Sequence, residues 1–122
     1  DGTYTKMSFL SQCSDPEGKW QIYGEASNSV LSCSPPNNTI QFTGFTGPAV
    51  TPGTVVNLIL FHLPESDIDE FVFGVARTNN DGTWEYTWDG NVPGYSLTKN
   101  YEYGVKAALP WRYTKMSFRY EC

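Results

Sequence analysis

The sequence has little charge, no cluster of basic residues and no long apolar run, and each shortage excludes a class of protein. Charged residues make up 17% of the 122 positions and the net charge is -5. Phosphate recognition depends on grouped lysine and arginine, so we expect no nucleic-acid partner. The longest apolar run, Val55 to Leu63, is interrupted by Asn57 and His62 and is shorter than the roughly 20 residues of a membrane helix. We therefore expect no membrane span.

Side chains that perform catalysis or bind metals are also scarce. His62 is the single histidine, and no serine or cysteine motif requires it as a base, so we interpret it as structural. The acidic residues between 65 and 70 lack the Asp-x-Asp-x-Asp-Gly spacing of a calcium loop, which favours a solvated loop over a calcium site. They are Glu65, Asp67, Asp69 and Glu70. We predict no metal, no cofactor and no catalytic residue.

A carboxylate pair of the glycosidase type is defined by its separation in space, so a sequence alone does not reveal one. A chain of this length has little room for a substrate cleft. We therefore expect a protein that is not an enzyme.

Aromatic residues make up 16% of the chain and hydrophobic residues 39%, which suits one domain with one core. Runs of β-branched and aromatic residues, separated by Gly, Pro, Asn and Asp, recur about every ten residues and predict an all-β fold. The predicted strands are Tyr4–Gln12, Lys19–Ala26, Ser29–Cys33, Thr39–Phe45, Thr54–His62, Glu70–Arg77, Thr83–Trp88, Tyr101–Ala108 and Trp111–Glu121. The turn residues NNDG at 79–82 predict that the strands on either side form a β-hairpin.

An internal repeat is the feature that is specific to this chain. The sequence YTKMSF begins at Tyr4 and again at Tyr113, 109 positions later, and each copy is followed after three residues by a cysteine, Cys13 or Cys122. In the second copy Thr114, Met116, Phe118, Tyr120 and Cys122 fall on one face, as in a half-buried strand. In the first copy Met7, Phe9 and Cys13 take the same positions.

A period of 109 residues is close to the length of one immunoglobulin-type sandwich, so one strand is surplus. An apolar strand left in water would be an exposed edge, so we expect the surplus copy to dock on another unit. It would complete either a neighbouring domain of the same polypeptide or a neighbouring molecule. We therefore assign residues 1–13 to a terminal strand that docks on a neighbouring unit and residues 14–122 to an immunoglobulin-like antiparallel β-sandwich. The assembly strands would use Tyr4, Met7 and Phe9 in one copy and Tyr113, Met116 and Phe118 in the other. The alternative is that both copies are edge strands of one domain.

The three cysteines have neither CxxC spacing nor a histidine cluster, which favours a disulfide and an oxidising compartment over a metal site. Under the repeat, Cys13 and Cys122 are equivalent positions, and the favoured pairing is Cys13 with Cys33. Two alternatives remain open: Cys33 bonds Cys122 while Cys13 reaches another unit, or one cysteine is buried and unpaired.

Three short motifs resemble the bacterial Ig-like repeat modules of large surface adhesins. They are TPGTVVNL at 51–58, NDGTWEYT at 80–87 and DGTYT at 1–5. The resemblance spans about residues 40 to 108 and the first strand, and the cysteines and the Pro110–Trp111 extension depart from it. It implies a surface-displayed stalk, adhesin or filament unit without catalytic activity. The duplicated strand also resembles the donor strands of pili.

These observations predict a structural subunit or repeat of an extracellular filament, assembled head-to-tail from copies of itself by β-strand complementation. The sequon at Asn37 predicts an N-glycosylation site. The alternative function is a carbohydrate-binding or adhesin module, in which exposed aromatic residues stack on sugars. Candidates are Trp20, Tyr23, Tyr95, Tyr101, Tyr103 and Trp111, although most aromatic residues of a small sandwich pack in the core or against neighbouring strands.

Overall fold

The computed structural model describes residues 17–63 and 70–122 and folds them into two β-sheets that pack face to face. The strands are β1 (Ile22–Ala26), β2 (Val30–Ser32), β3 (Ile40–Thr46), β4 (Val55–His62), β5 (Phe71–Arg77), β6 (Thr83–Trp88), β7 (Tyr101–Ala108) and β8 (Tyr113–Glu121). One sheet has the order β1-β3-β6 and the other the order β2-β8-β7-β4-β5. No helix occurs within the described ranges. The predicted all-β, sandwich-like fold is confirmed.

Every strand predicted within the described residues is present, and the bounds differ by three residues at most. The largest shift is at β1, which begins at Ile22 because Lys19 and Trp20 lie in a turn. β8 begins at Tyr113, since the Leu109 amide donates a hydrogen bond to the Arg112 carbonyl and closes the preceding turn. The predicted strand Tyr4–Gln12 lies outside the described residues.

The pairing is antiparallel except at β2, which runs parallel to β8. The chain leaves the three-stranded sheet after β1 and joins the five-stranded sheet at β2. Asn28 stabilises this crossing through a hydrogen bond of 2.6 Å from its Nδ2 to the Val30 carbonyl.

The hairpin predicted across residues 79–82 is wrong. β5 pairs with β4, whereas β6 pairs with β3 in the opposite sheet, so the turn carries the chain from one sheet to the other. The local turn chemistry is as expected: Gly82 has φ +86°, and its amide bonds the Asn79 carbonyl. Hydrogen bonds from the Thr83 hydroxyl and amide lower the pKa of Asp81 below its usual value. The error concerns the tertiary partners of the two arms and not the turn itself.

The core lies between the sheets and is largely aromatic. Trp88 of β6 packs on Phe73 at 4.3 Å between ring centroids and edge-on against Phe118 of β8 at 5.6 Å. Both arms of the predicted hairpin therefore bury their apolar faces against each other across the sandwich. Burial of large rings between two layers is the main stabilising term available to a domain of this size.

Trp84 occupies a space that two glycines leave open. Gly24 and Gly44 are opposite each other on β1 and β3, and a Cβ at Gly44 would lie 2.7 Å from Trp84 Nε1 and would clash with the Tyr23 carbonyl. Their missing side chains let the indole approach the backbone, and Nε1 donates a hydrogen bond of 3.1 Å to the Tyr23 carbonyl. The Trp84 side chain thus passes β3 on the core side of the sheet and links β6 to β1.

Replacing Gly44 by alanine should therefore destabilise the fold. The added methyl group meets backbone and a buried ring that has no room to move, and we expect a loss of about 1–3 kcal/mol in unfolding free energy. Urea denaturation measures it. The control Gln41→Ala changes an exposed side chain on the same strand and should cost less than about 0.5 kcal/mol. Equal, small effects of both substitutions would contradict the close packing.

Candidate functional site

The second copy of the repeated sequence forms β8, an inner strand of the five-stranded sheet. It pairs with β7 along its length and with β2 at its carboxyl end. Phe118 is 2% exposed, and Met116 packs against the core. Tyr113 lies on the opposite face, beside the ammonium group of Lys106. The predicted alternation of this copy is confirmed, whereas Tyr4, Met7 and Phe9 lie outside the described residues.

The disulfide joins Cys33 to Cys122, so the favoured pairing of Cys33 with Cys13 is wrong for this structure. The reason is the parallel pairing of β2 and β8. Ser32 is opposite Glu121 in that register, and the next residue of each strand is a cysteine, with 5.3 Å between the two Cα atoms. The bond fixes the end of β8 to the segment after β2. Cys13 lies outside the described residues.

Removing this bond should cost substantial stability, because it closes a loop with a sequence separation of 89 residues. For the double variant Cys33→Ser/Cys122→Ser we expect a loss of about 2–4 kcal/mol in unfolding free energy. Urea unfolding of the variant and the oxidised parent measures the difference. If reduction of the parent with dithiothreitol leaves its stability unchanged, the bond has no such role.

β1 begins and β8 ends at opposite poles of the sandwich. Trp111, which precedes β8, donates a hydrogen bond of 2.8 Å to the carbonyl of Trp20, which precedes β1. Both residues therefore lie at one pole. The Cys33–Cys122 bond lies at the other, because β8 runs from Tyr113 to Glu121 across the whole sheet.

Asn37 lies in the loop between β2 and β3, at the same pole as the disulfide. Its side chain is exposed, and its carbonyl accepts a hydrogen bond of 2.7 Å from the Ser32 amide. A glycan attached there would point into solvent. Glycosylation of Asn37 stays a prediction.

His62 belongs to a cluster of tyrosines that attaches the loop before β7 to the sheet. The Tyr95 hydroxyl lies 2.9 Å from His62 Nε2 and 3.3 Å from the Tyr103 hydroxyl, which accepts a hydrogen bond of 2.7 Å from the Thr98 amide. The ring contacts between His62 and its neighbours add to this packing. Every member of the network has a structural partner, in agreement with the structural interpretation of His62.

The acidic loop is only partly described. Glu65, Asp67 and Asp69 lie outside the described residues, and Glu70 forms an ion pair of 2.5 Å with Lys106. Within residues 17–63 and 70–122 no three His, Cys, Asp or Glu side chains are grouped as metal ligands.

Sequence reasoning missed Lys106, a buried lysine on the outer face of the five-stranded sheet. The residue is 8% exposed, and its ammonium lies 5.3 Å from the ring centre of Phe61 and 4.9 Å from that of Tyr113. The alternation of β7 predicts that Lys106 and the buried Val105 lie on opposite faces of the sheet. Nothing in the sequence indicates that aromatic rings cover the face that carries Lys106. The carboxylate of Glu70 and the two rings surround its ammonium group.

The substitution Glu70→Gln should remove a carboxylate that pairs with this buried ammonium group. Because the Glu70 side chain is partly exposed, we expect a cost of about 1–3 kcal/mol in unfolding free energy, below that of breaking a fully buried pair. The exposed pair of Glu17 with Lys19 provides the control. Glu17→Gln should change the stability by less than about 0.5 kcal/mol in the same urea titration. A cost at Glu70 no larger than at Glu17 would contradict the assignment.

The six aromatic candidates for sugar binding occupy three regions. Trp20 and Trp111 pack edge-to-face on each other at 5.7 Å, while Tyr95, Tyr101 and Tyr103 surround His62. Tyr23 lies on the outer face of the three-stranded sheet and packs against Phe45 at 4.7 Å. Phe45 was missed, although the alternation of β3 from the buried Phe42 places it on the solvent face.

That outer face carries two short cross-strand rows. In the first, Tyr23, Phe45 and Thr83 are adjacent on β1, β3 and β6; in the second, Glu25, Thr43 and Glu85 are adjacent on the same strands. The two rows border one open groove. The strand order therefore brings together residues that are far apart in the sequence.

Comparison with known proteins gives no relative: no family model, no curated protein and no solved structure matches the chain. No helix of the described residues has the length and apolar character to cross a membrane.

Proposed function

We propose that this chain is a structural unit of an extracellular filament, in which copies of the β8 strand join units head-to-tail. The observation that carries the proposal is the place of β8 itself. A strand with the sequence YTKMSF is an inner strand of the sandwich, hydrogen-bonded to β7 throughout and buried at Phe118. The same six residues recur from Tyr4, so they suit the equivalent slot of an adjoining unit that has no β8 strand of its own.

The direction of the chain supports an end-to-end arrangement. β1 begins at the pole that holds Trp20 and Trp111, and β8 ends at the pole that holds the disulfide. A first-copy strand inserted into the β8 slot of an adjoining unit would end at the disulfide pole of that unit. The chain would then continue to the Trp20 pole of its own sandwich. Such heterologous contacts generate a string of units and not a closed dimer.

The cysteines support the same arrangement. Cys122 follows β8 and bonds Cys33 of its own sandwich. Cys13 follows the first copy at the same spacing, and its partner would be the counterpart of Cys33 in an adjoining unit that has no β8 strand of its own and receives the first copy instead. The odd number of cysteines would then leave no free thiol within the string, and each docked strand would be covalently fixed.

The strand order supports an immunoglobulin-like assignment for the sandwich. The sheet orders β1-β3-β6 and β2-β8-β7-β4-β5 correspond to the A-B-E and G-F-C-C′ orders of immunoglobulin-type domains, with β2 added beside the last strand. A disulfide of this kind is typical of a non-reducing compartment, and we place the filament outside the cell or on its surface. The unit would act by packing and not by catalysis.

A chain that ends at Pro110 tests the proposal, because it has one copy of the strand, one empty β8 slot, and both Cys13 and Cys33. We expect it to fold by exchanging the strand between molecules. The expected products are soluble oligomers in light scattering and a covalent ladder on non-reducing gels, with peptide mapping that identifies Cys13–Cys33 links. The full-length chain, whose own β8 fills the slot, provides the reference.

Two matched substitutions in the truncated chain separate strand docking from random thiol oxidation. Phe9 is equivalent to the buried Phe118, so Phe9→Asp should abolish the ladder. Lys6 is equivalent to Lys115 on the opposite face, so Lys6→Asp should preserve it. A monomer with an internal Cys13–Cys33 bond would show that the first copy fills the β8 slot of its own chain, and would refute the exchange. A chain that stays unfolded would also refute the exchange.

A further inference from the structure

We propose that the outer face of the three-stranded sheet binds a neutral pyranoside. Tyr23 and Phe45 would stack on the sugar ring. The carboxylates of Glu25 and Glu85 would accept hydrogen bonds from its hydroxyl groups, and the Thr43 hydroxyl would accept or donate one. This inference concerns a face of the domain and does not depend on the assembly of units. It rests on the residues of the groove and on the way in which the core holds them.

The aromatic part of the face is exposed and held in one arrangement. Tyr23 is 43% and Phe45 52% exposed, and their rings are tilted by 33° with their centres 4.7 Å apart. The two residues are directly opposite on β1 and β3, so each ring restricts the rotamers of the other. The face of an aromatic ring carries partial negative charge and attracts the positive C–H edge of a second aromatic ring. The C–H groups on one face of a pyranose ring pack against it in the same way.

The polar part of the face lies one row away. Glu25 and Glu85 flank Thr43, and the two carboxylates are separated by two strand spacings, about 10 Å. Within the described residues neither carboxylate takes part in an ion pair or hydrogen bond. The Thr83 hydroxyl is already bonded to Asp81 and Asn79. Two acceptors and one free hydroxyl beside an aromatic pair provide the few oriented polar groups that a sugar requires.

The floor of the groove is closely packed and hydrogen-bonded. Trp84 lies beneath Gly24 and Gly44, and its hydrogen bond to the Tyr23 carbonyl fixes the strand that presents Tyr23. A preformed floor lowers the entropy cost of binding a weak ligand. The groove of about 630 Å³ has the size of a site for one or two sugar rings.

Other ligands fit this face less well. Two carboxylates and a net charge of -5 disfavour an anion. An apolar protein surface would desolvate Glu25 and Glu85 without replacing their hydrogen bonds to water. A polyamine would pair with the carboxylates but would leave Thr43 and most of the Phe45 ring unused. A neutral sugar satisfies the rings and the polar groups together.

Titration of the full-length chain with lactose and with cellobiose, followed by amide NMR spectra, tests the inference. We expect weak, saturable shifts confined to the amides of β1, β3 and β6 around Tyr23, Thr43 and Glu85. Phe45→Ala should weaken binding by about tenfold and Tyr23→Ala by a similar factor. Val72, an exposed apolar residue on the other sheet, provides the control, and Val72→Ala should leave the affinity unchanged.

The outcomes that overturn the inference are also specific. They are the absence of shifts with both disaccharides, shifts at the Trp20 and Trp111 pole, or full affinity in Phe45→Ala. Salt-sensitive shifts with spermine and none with the sugars would identify a cation site and refute sugar binding. Spectra of the free variants establish that they are folded. Because the unassembled full-length chain is used, failure here leaves the proposed assembly untouched, and failure of the strand exchange leaves this result untouched.

Discussion

The insertion of Trp84 and Trp88 between the two sheets is the interaction on which the rest of this structure depends. Both indoles project from β6, a strand of the smaller sheet, and Trp88 contacts Phe73 and Phe118 of the larger sheet. Trp84 reaches under β3 and bonds the backbone of β1. Because one strand of the smaller sheet supplies both rings, the turn before β6 has to cross between sheets, and β8 has to present Phe118 inward. The core and the outer face of the small sheet are thus set by the same two side chains.

Much of this arrangement follows from local patterns. Alternation of apolar and polar residues placed seven of the eight described strands within two residues of their ends, and it assigned Met116 and Phe118 to the inner face of β8. These assignments succeed because burial on one side of a strand is visible within a few residues. The hairpin failed for the complementary reason. A tight turn with Gly82 at positive φ is equally compatible with two strands side by side and with two strands in facing sheets.

The disulfide, the buried lysine and the aromatic surface depend on which residues of distant strands lie opposite each other. A single sequence does not reveal this register. Cys33 pairs with Cys122 because a three-residue strand runs parallel to the end of β8, and neither spacing nor the repeat distinguishes this from pairing with Cys13. The burial of Lys106 is not visible in the sequence because the side chains that cover it belong to other strands, among them Phe61 of β4. Phe45 was within reach of the alternation rule, yet its contact with Tyr23 needed the β1–β3 register. Pairing between distant segments therefore decided both the covalent bond and the aromatic surface.

Assembly and sugar binding, as proposed, would involve different surfaces of the same sandwich. Assembly would use the poles, since β1 begins at one and the disulfide closes the other. Tyr23, Phe45 and the two carboxylates lie on the flank of the smaller sheet, where docking at the poles leaves them exposed. In a string of units this flank would recur once per unit, so a ligand site that is weak in one copy would gain avidity from its repetition on a multivalent glycan surface. Lys106 and His62 contact neighbouring side chains of the larger sheet, so the flank that carries this site involves neither of them.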